Sequence, residues 1–317
     1  MTVMLDPKRF SEEAVSEETR AFNQRLAELS AAAPSMTDLP PEETRAARAK
    51  GGMFGEIVKL DQAQERTIPG PGGDIPLRVF TPERVDGVHL YIHGGGWVLG
   101  AADAQDERLW ELATTANVAV VSVEYRLAPE HPYPAGPDDC EAAALWLRDN
   151  AQAELGSDRL TIGGGSAGGH LAAVTLLRLR DRFGDTGFLA ADLVFGVFDL
   201  SMTPSQKAGV ESPVIPTATM DWFYGHFVPD PVTRKDPDIS PLYADLRGLP
   251  PALFTVGTYD PLLDDSLFMA QRWQVAGNVA EIEVYPGGVH GFVAFPIAIG
   301  AEARERSTQF IAAAVAG

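Results

Sequence analysis

The run Gly163-Gly164-Gly165-Ser166-Ala167-Gly168-Gly169 constrains this chain more than any other stretch. Ahead of it, Asp158-Arg159-Leu160-Thr161-Ile162 reads as a short buried strand. Behind it, apolar residues recur at helical spacing from His170 to Arg178. A strand that becomes a helix within one residue holds that residue in a strained conformation, with its side chain standing above the sheet. Glycines are needed on both sides, because a Cβ there would clash where strand and helix converge. The helix also aims its N-terminal amides and dipole at the same point, which favours developing negative charge. This is G-x-S-x-G in the setting that makes Ser166 a nucleophile elbow.

Gly163-x-Gly165-x-x-Gly168 also fits the dinucleotide pattern G-x-G-x-x-G. That motif normally opens its fold and leads to a strand ending in a ribose-binding acid. Here it lies mid-chain, and its helix runs into Arg180-Asp181-Arg182-Phe183-Gly184. The hydrolase reading is therefore preferred, and no cofactor is expected.

Either side of the elbow, strand and helix patterns alternate. Arg66 to Pro69 and Ile75 to Thr81 flank Gly70-Pro71-Gly72-Gly73 as a hairpin, and Val88 to Ile92 is a third strand. Val118 to Val123 is apolar throughout, as in a parallel sheet covered on both faces. Strands follow up to Ile162, over Leu193–Phe198, Ala252–Val256 and Ala280–Tyr285. Helices are expected over Asp103–Ala116, Gly136–Asn150, the elbow to about Arg182, Leu262–Ala276 and Gly300–Val315. The reading is one α/β domain: an eight-stranded, doubly wound, mostly parallel sheet, its first pair a hairpin and the rest joined by helices.

Two stretches stand outside that alternation. Residues Ser11 to Ala32 read as one amphipathic helix with a stripe of Ala14, Phe22, Leu26 and Leu29. Pro40-Pro41-Glu42-Glu43 opens a second helix that stops at Gly51-Gly52. Proline-rich Asp199–Leu249 contains one short aromatic helix, about Thr219 to Phe227. About 1–52 and an insertion at about 200–232 are expected to form a cap.

An elbow serine needs an imidazole to accept its proton and a carboxylate to hold that imidazole's tautomer. The order in such a sheet is serine, acid, histidine, each after a strand. Asp260 follows Leu253–Val256, and His290 follows the last strand in Gly287-Gly288-Val289-His290-Gly291-Phe292. Asp264 and Asp265 compete less well, since they fall inside the next helix. His89, His131, His170 and His226 do not follow the last strand and read as structural or surface residues. No H-x-x-x-H spacing suggests a metal. The tetrahedral oxyanion of ester attack needs fixed N–H donors; Gly94 and Gly95 of His93-Gly94-Gly95-Gly96 supply two, and Ala167 a third.

These stretches, with Trp97, Tyr125-Arg126-Leu127-Ala128-Pro129-Glu130-His131-Pro132-Tyr133-Pro134-Ala135, Asp260-Pro261-Leu262 and His290-Gly291-Phe292, give a chain that resembles the bacterial hormone-sensitive-lipase-like carboxylesterases of the α/β-hydrolase fold. The resemblance implies hydrolysis of short-chain esters through an acyl-enzyme, no cofactor, a cap of N-terminal helices plus an insertion, and Trp97 beside the substrate. Amidase, formamidase, lactonase or carbamate hydrolase chemistry would use the same groups, and a non-catalytic binding protein on this scaffold would lack the histidine. One residue departs from the family's usual G-D-S-A-G-G: Gly165 stands where the aspartate would be.

The 44 acidic against 25 basic residues, a formal charge of −19, argue against nucleic acid or an anionic membrane as partner. The expected partner is a small ester, and the family resemblance leaves a homodimer open. The single cysteine, Cys140, excludes an intramolecular disulfide and reads as a buried thiol. With no membrane-length apolar stretch and no secretory signal pattern at Met1 to Arg9, a cytoplasmic location is the expectation.

Overall fold

The computed structural model describes residues 5–33, 35–49, 55 and 57–316. Eight strands form one sheet: β1 (Ala63–Gly70), β2 (Gly73–Phe80), β3 (Gly87–Ile92), β4 (Val118–Val123), β5 (Leu160–Gly165), β6 (Ala190–Val194), β7 (Ala252–Gly257) and β8 (Ala280–Tyr285), in the order β1-β2-β4-β3-β5-β6-β7-β8. β3 to β8 run parallel, while β2 is antiparallel to both β1 and β4. β2 therefore reaches β3 by the short connection 81–86, not by the helix that the alternation suggested.

Side chains alternate across the pleat, so each strand feeds two cores. Val88, Leu90 and Ile92 of β3, with Ala119, Val121 and Val123 of β4, pack under α4 (Ala135–Leu155) and α5 (Ala167–Phe183), while α8 (Leu263–Val275) covers β7 and β8 on the edge of the sheet. Tyr91, Val118 and Val120 face the other way, toward α3 (Asp106–Ala116) and α9 (Ala298–Ala316). Cys140 lies buried in α4. Among the described residues no helix is long and apolar enough to cross a membrane.

The chain moves from β3 outward to β4, then returns past β3 to β5. Loops after β3 and β5 thus leave neighbouring strands in opposite directions, opening a crevice at the carboxyl ends where ligands of such sheets bind. Ile92 pairs with Gly164, so the two loops start side by side.

Two boundaries differ from the sequence reading. The first helix does not begin at Ser11: short 3₁₀ turns precede α1 (Glu17–Ala32), whose start is set by Ser16 accepting the Thr19 N–H at 3.1 Å. Its buried residues are Thr19 and Leu26, whereas Leu29 is 60% exposed. The second helix, α2 (Pro41–Arg48), starts as expected; its stop at Gly51-Gly52 lies outside the described residues. The sixth strand ends at Val194, not Phe198: Ala190–Val194 pair with β5 and Ala191–Val194 with β7.

The excursion between β6 and β7 carries two helices, α6 (Pro204–Ala208), which the sequence reading missed, and α7 (Thr217–Phe227). It leaves and rejoins the sheet at one place. The Leu200 N–H donates to Ser240 Oγ at 2.8 Å, and the Leu242 N–H to the Phe198 carbonyl at 3.0 Å. Asp265, buried on α8, pins the same spot: it accepts from the N–H of Phe198 and Asp199, from Thr203 Oγ1 and from Gln206 Nε2 at 2.7–2.9 Å. Burial pushes its carboxyl up to about 7 against the pull of those four donors.

Candidate active site

At the end of β5 the backbone turns at Ser166, held at φ 59° and ψ −122°, and α5 begins at the next residue. Such a conformation costs a non-glycine residue on the order of 1–3 kcal/mol and persists only where its surroundings impose it. The Ser166 N–H is tied to the Val194 carbonyl at 2.9 Å. Gly168 shows why the motif needs glycine, since a Cβ there would lie 1.9 Å from the Ile92 carbonyl oxygen. Any side chain would force α5 off β3 and the serine out of place.

Loops after β7 and β8 bring the other two groups in. They are stitched together by Tyr259 N–H to the Gly288 carbonyl at 3.0 Å and Gly287 N–H to Thr258 Oγ1 at 2.8 Å. Asp260 is further held by the Leu262 N–H on Oδ1 at 2.8 Å. His290 Nδ1 lies 2.9 Å from Asp260 Oδ2 and 3.1 Å from Oδ1, and His290 Nε2 lies 3.0 Å from Ser166 Oγ. A proton on Nδ1, shared with the carboxylate, leaves the Nε2 lone pair facing the hydroxyl. Asp260 and His290 are 3% and 5% exposed, so this row is screened from bulk water.

The competing residues are otherwise engaged. Asp264 Oδ2 accepts the Ser205 N–H at 2.8 Å, and Asp265 anchors the excursion. His89 contacts Thr161 Oγ1 inside the sheet at 3.0 Å, His131 is exposed, and His226 lies half-buried on α7. His170 is buried with Nδ1 accepting from Trp97 Nε1 at 3.0 Å and Nε2 on the Ile239 carbonyl at 2.8 Å. Burial pushes its imidazole down to about 4, and does the same to His93. No group of three His, Cys, Asp or Glu able to hold a metal occurs among the described residues.

Gly94 stands beside the nucleophile: a Cβ on it would lie 2.7 Å from the Gly165 carbonyl oxygen and 3.4 Å from Ser166 Cβ. Gly95 adopts φ 122°, open only to glycine, and its carbonyl accepts from Val98 and Leu99 in a tight turn. Ala167 begins α5, so its N–H has no intrahelical acceptor. The structure places Gly94 and Ala167 next to Ser166, with Gly95 the next residue of the Gly94 loop.

A narrow apolar cavity of about 20 Å³ touches Ser166, lined by Gly96, Trp97, Val197, Ile215, Met220, Phe223 and others. Trp97 offers it only a wall: its indole stacks on Phe227 at 4.5 Å and its N–H is spent on His170. The lining from Ile215 to Phe223 went unassigned in the sequence reading; the aromatic helix was its only signal. A larger cleft of about 400 Å³ lies elsewhere, beside Arg45, Asp74, Arg126 and Asp139. It is open and lacks any of Ser166, Asp260 and His290, and Asp139 already neutralises its Arg126, so the small cavity beside Ser166 is the candidate site.

The alpha/beta hydrolase fold family matches residues 89–294. Carboxylesterase NlhH of Mycobacterium tuberculosis is 40% identical over 265 residues, spanning 78% of this chain and 81% of the relative. Ethyl acetate hydrolase of Pseudomonas putida is 34% identical, spanning 70% and 72%. A hyperthermophilic esterase from Pyrobaculum calidifontis superposes with a TM-score of 0.84 at 35% identity, covering 92% of this chain and 97% of that one.

Proposed function

This chain belongs to the hormone-sensitive-lipase-like branch of the α/β-hydrolase family and hydrolyses carboxylic esters, and from that premise we propose that Ser166, His290 and Asp260 carry the reaction. The observation that carries the assignment is the unbroken row Asp260–His290–Ser166, with contacts of 2.9 and 3.0 Å.

His290 Nε2 takes the Ser166 proton as Oγ attacks the ester carbonyl, while Asp260 holds the imidazole and stabilises its charged form. The tetrahedral oxyanion accepts from the amides of Gly94, Gly95 and Ala167. Collapse expels the alcohol, which takes its proton from His290, and leaves an acyl group on Oγ. A water, deprotonated by the same imidazole, then attacks that ester, and release of the carboxylic acid restores Ser166.

The small apolar space beside Ser166 favours short acyl chains over long ones. It is closed from above by α7. Residues Met36–Asp38 pack on α7, and Arg45 of α2 donates to the carbonyls of Val98 and Ala128 and to Glu130. These parts form the cap; α1 instead braces the histidine loop, through Asn23 Nδ2 on the Gly287 carbonyl at 2.8 Å. The whole chain is one catalytic domain under that cap.

The test is Ser166→Ala. Turnover of p-nitrophenyl acetate should fall on the order of 10³-fold or more, and labelling by a fluorophosphonate should disappear. Labelling that survives would place the nucleophile elsewhere.

A further inference from the structure

Gly165, where the family's usual aspartate is missing, faces Phe195, the first residue after β6. The backbone of Gly165 lies outside the left-handed region, so its conformation alone would admit a side chain. What a Cβ would meet is the Phe195 ring, with Cε2 at 3.1 Å and Cζ at 3.6 Å. Phe195 itself is held at φ 37°, which a non-glycine residue adopts only when its surroundings impose it. Its N–H donates to the Thr255 carbonyl at 2.6 Å. Its ring, 5% exposed, lies against the imidazole of His290 with centroids 4.8 Å apart and planes at 59°. Phe292 backs the same ring at 6.1 Å.

Asp260 grips His290 by one ring edge, and Ser166 touches the opposite corner. Neither contact stops the imidazole from pivoting about the line joining them. A ring packed beside it, tilted at 59° with its centroid 4.8 Å away, does.

Resting on the assignment of His290 as the base, we propose that Phe195 is a positioning residue whose tilted ring holds the imidazole from the side, and that the missing side chain at Gly165 gives that ring the room to do so. The strained φ of Phe195 is then the means by which the chain after β6 turns an aromatic ring back toward the base. A displacement of about 1 Å in a catalytic group can cost on the order of 10²-fold in rate, so the clamp acts on turnover and not on ester binding.

The experiment measures kcat and KM on p-nitrophenyl acetate, with a thermal melt of each variant. Phe195→Leu keeps an apolar side chain but no flat face; kcat should fall about 10- to 100-fold with KM changed less than about threefold. Gly165→Ala, which pushes on the ring, should lower kcat about 3- to 10-fold beside Phe195, but less than about twofold in the Phe195→Leu background. Should Phe195→Leu not melt cooperatively, Phe195→Met takes its place with the same expectations. A kcat within twofold of the parent, a change in KM alone, or an equal Gly165→Ala cost in both backgrounds overturns the proposal. Ser166→Ala, assayed alongside, fails separately: activity there removes the triad assignment, whereas its loss together with an indifferent Phe195 removes only the clamp.

Discussion

Below the scissile bond the protein is held by its backbone, and above it by side chains. Gly168 fits under Ile92, Gly94 under Gly165 and Gly257 under Gly288, each at a distance that a single Cβ would close, and Ser166 sits in a conformation that only these contacts sustain. α7, by contrast, is held by rings and hydroxyls: Phe227 stacked on Trp97, and Tyr224 Oη on Gln206 Oε1 at 2.8 Å. A floor made of backbone tolerates almost no substitution. A roof made of side chains can be reshaped one residue at a time.

The widest gap between the two should come from the floor. Asp260→Asn should leave the melt unchanged and lower kcat by about 10³- to 10⁴-fold, because an amide favours the wrong imidazole tautomer. Asp264→Asn, one turn further on, should stay within a few-fold of the parent. The reverse ranking would move the acid to α8.

Gly94→Ala comes next. Its Cβ would lie 2.7 Å from the Gly165 carbonyl oxygen, forcing the donor loop away from Ser166. Loss of one oxyanion donor costs about 10²- to 10³-fold in kcat. A loss confined to KM would mean that this loop binds ester without stabilising the oxyanion.

His170 joins floor to roof, through Trp97 on one side and Ile239 on the other. Its folded value, about 4, is depressed by burial below the ordinary imidazole value. The folded state therefore binds fewer protons than the unfolded chain, and stability is lost as pH falls from the unfolded value through the folded one. At pH 5 that loss is about 2 kcal/mol for one such group. Asp192 and Asp265, raised by burial to about 6 and about 7, act in the opposite sense, since their contribution is lost as pH rises. The difference between parent and His170→Gln isolates the imidazole: urea unfolding at pH 7 and pH 5 should show a drop smaller by about 2 kcal/mol in the variant. Equal drops would show that the seam does not titrate.

The smallest effect belongs to the roof. Phe223 lies over the donor loop, with its ring 2.3 Å from where a Cβ on Gly96 would be. Phe223→Ala should leave acetate turnover within about fivefold, while the hexanoate-to-acetate ratio of kcat/KM rises about 5- to 20-fold, the worth of one or two methylenes in an apolar pocket. An unchanged ratio would dissolve the distinction between floor and roof.

That same distinction governs what could be read from the residues alone. The floor is legible because its geometry demands glycine at fixed offsets and places acid and histidine directly after strands. The eight strands are legible for a similar reason, being short apolar runs between turn residues. The sixth was placed too late: Ala190-Ala191-Asp192 reads as weakly apolar, and only the fold shows Asp192 buried with Ser307 of α9 at 3.2 Å. Phe195 to Phe198 look like the strand but form the turn beyond it. α6 is too short for periodicity to show, and its Gln206 matters through distant partners, Asp265 and Tyr224. At the N-terminus the expected stripe ran through Ala14 and Leu29, but the cap at Ser16 starts the helix later and turns Leu29 outward. Side-chain contacts between segments far apart in sequence leave no local pattern.

The excursion bearing α6 and α7 departs and returns through one knot at Phe198, Leu200, Ser240 and Asp265, and is tied to the rest of the chain by Phe227 on Trp97, Ile239 on His170 and Asp238 on Arg178. Closing a loop twice as long costs only about 0.6 kcal/mol more once its ends are fixed. Mutation, recombination or design can therefore lengthen or vary the stretch inside the knot at little entropic cost, so long as its ties to Trp97, His170 and Arg178 are kept.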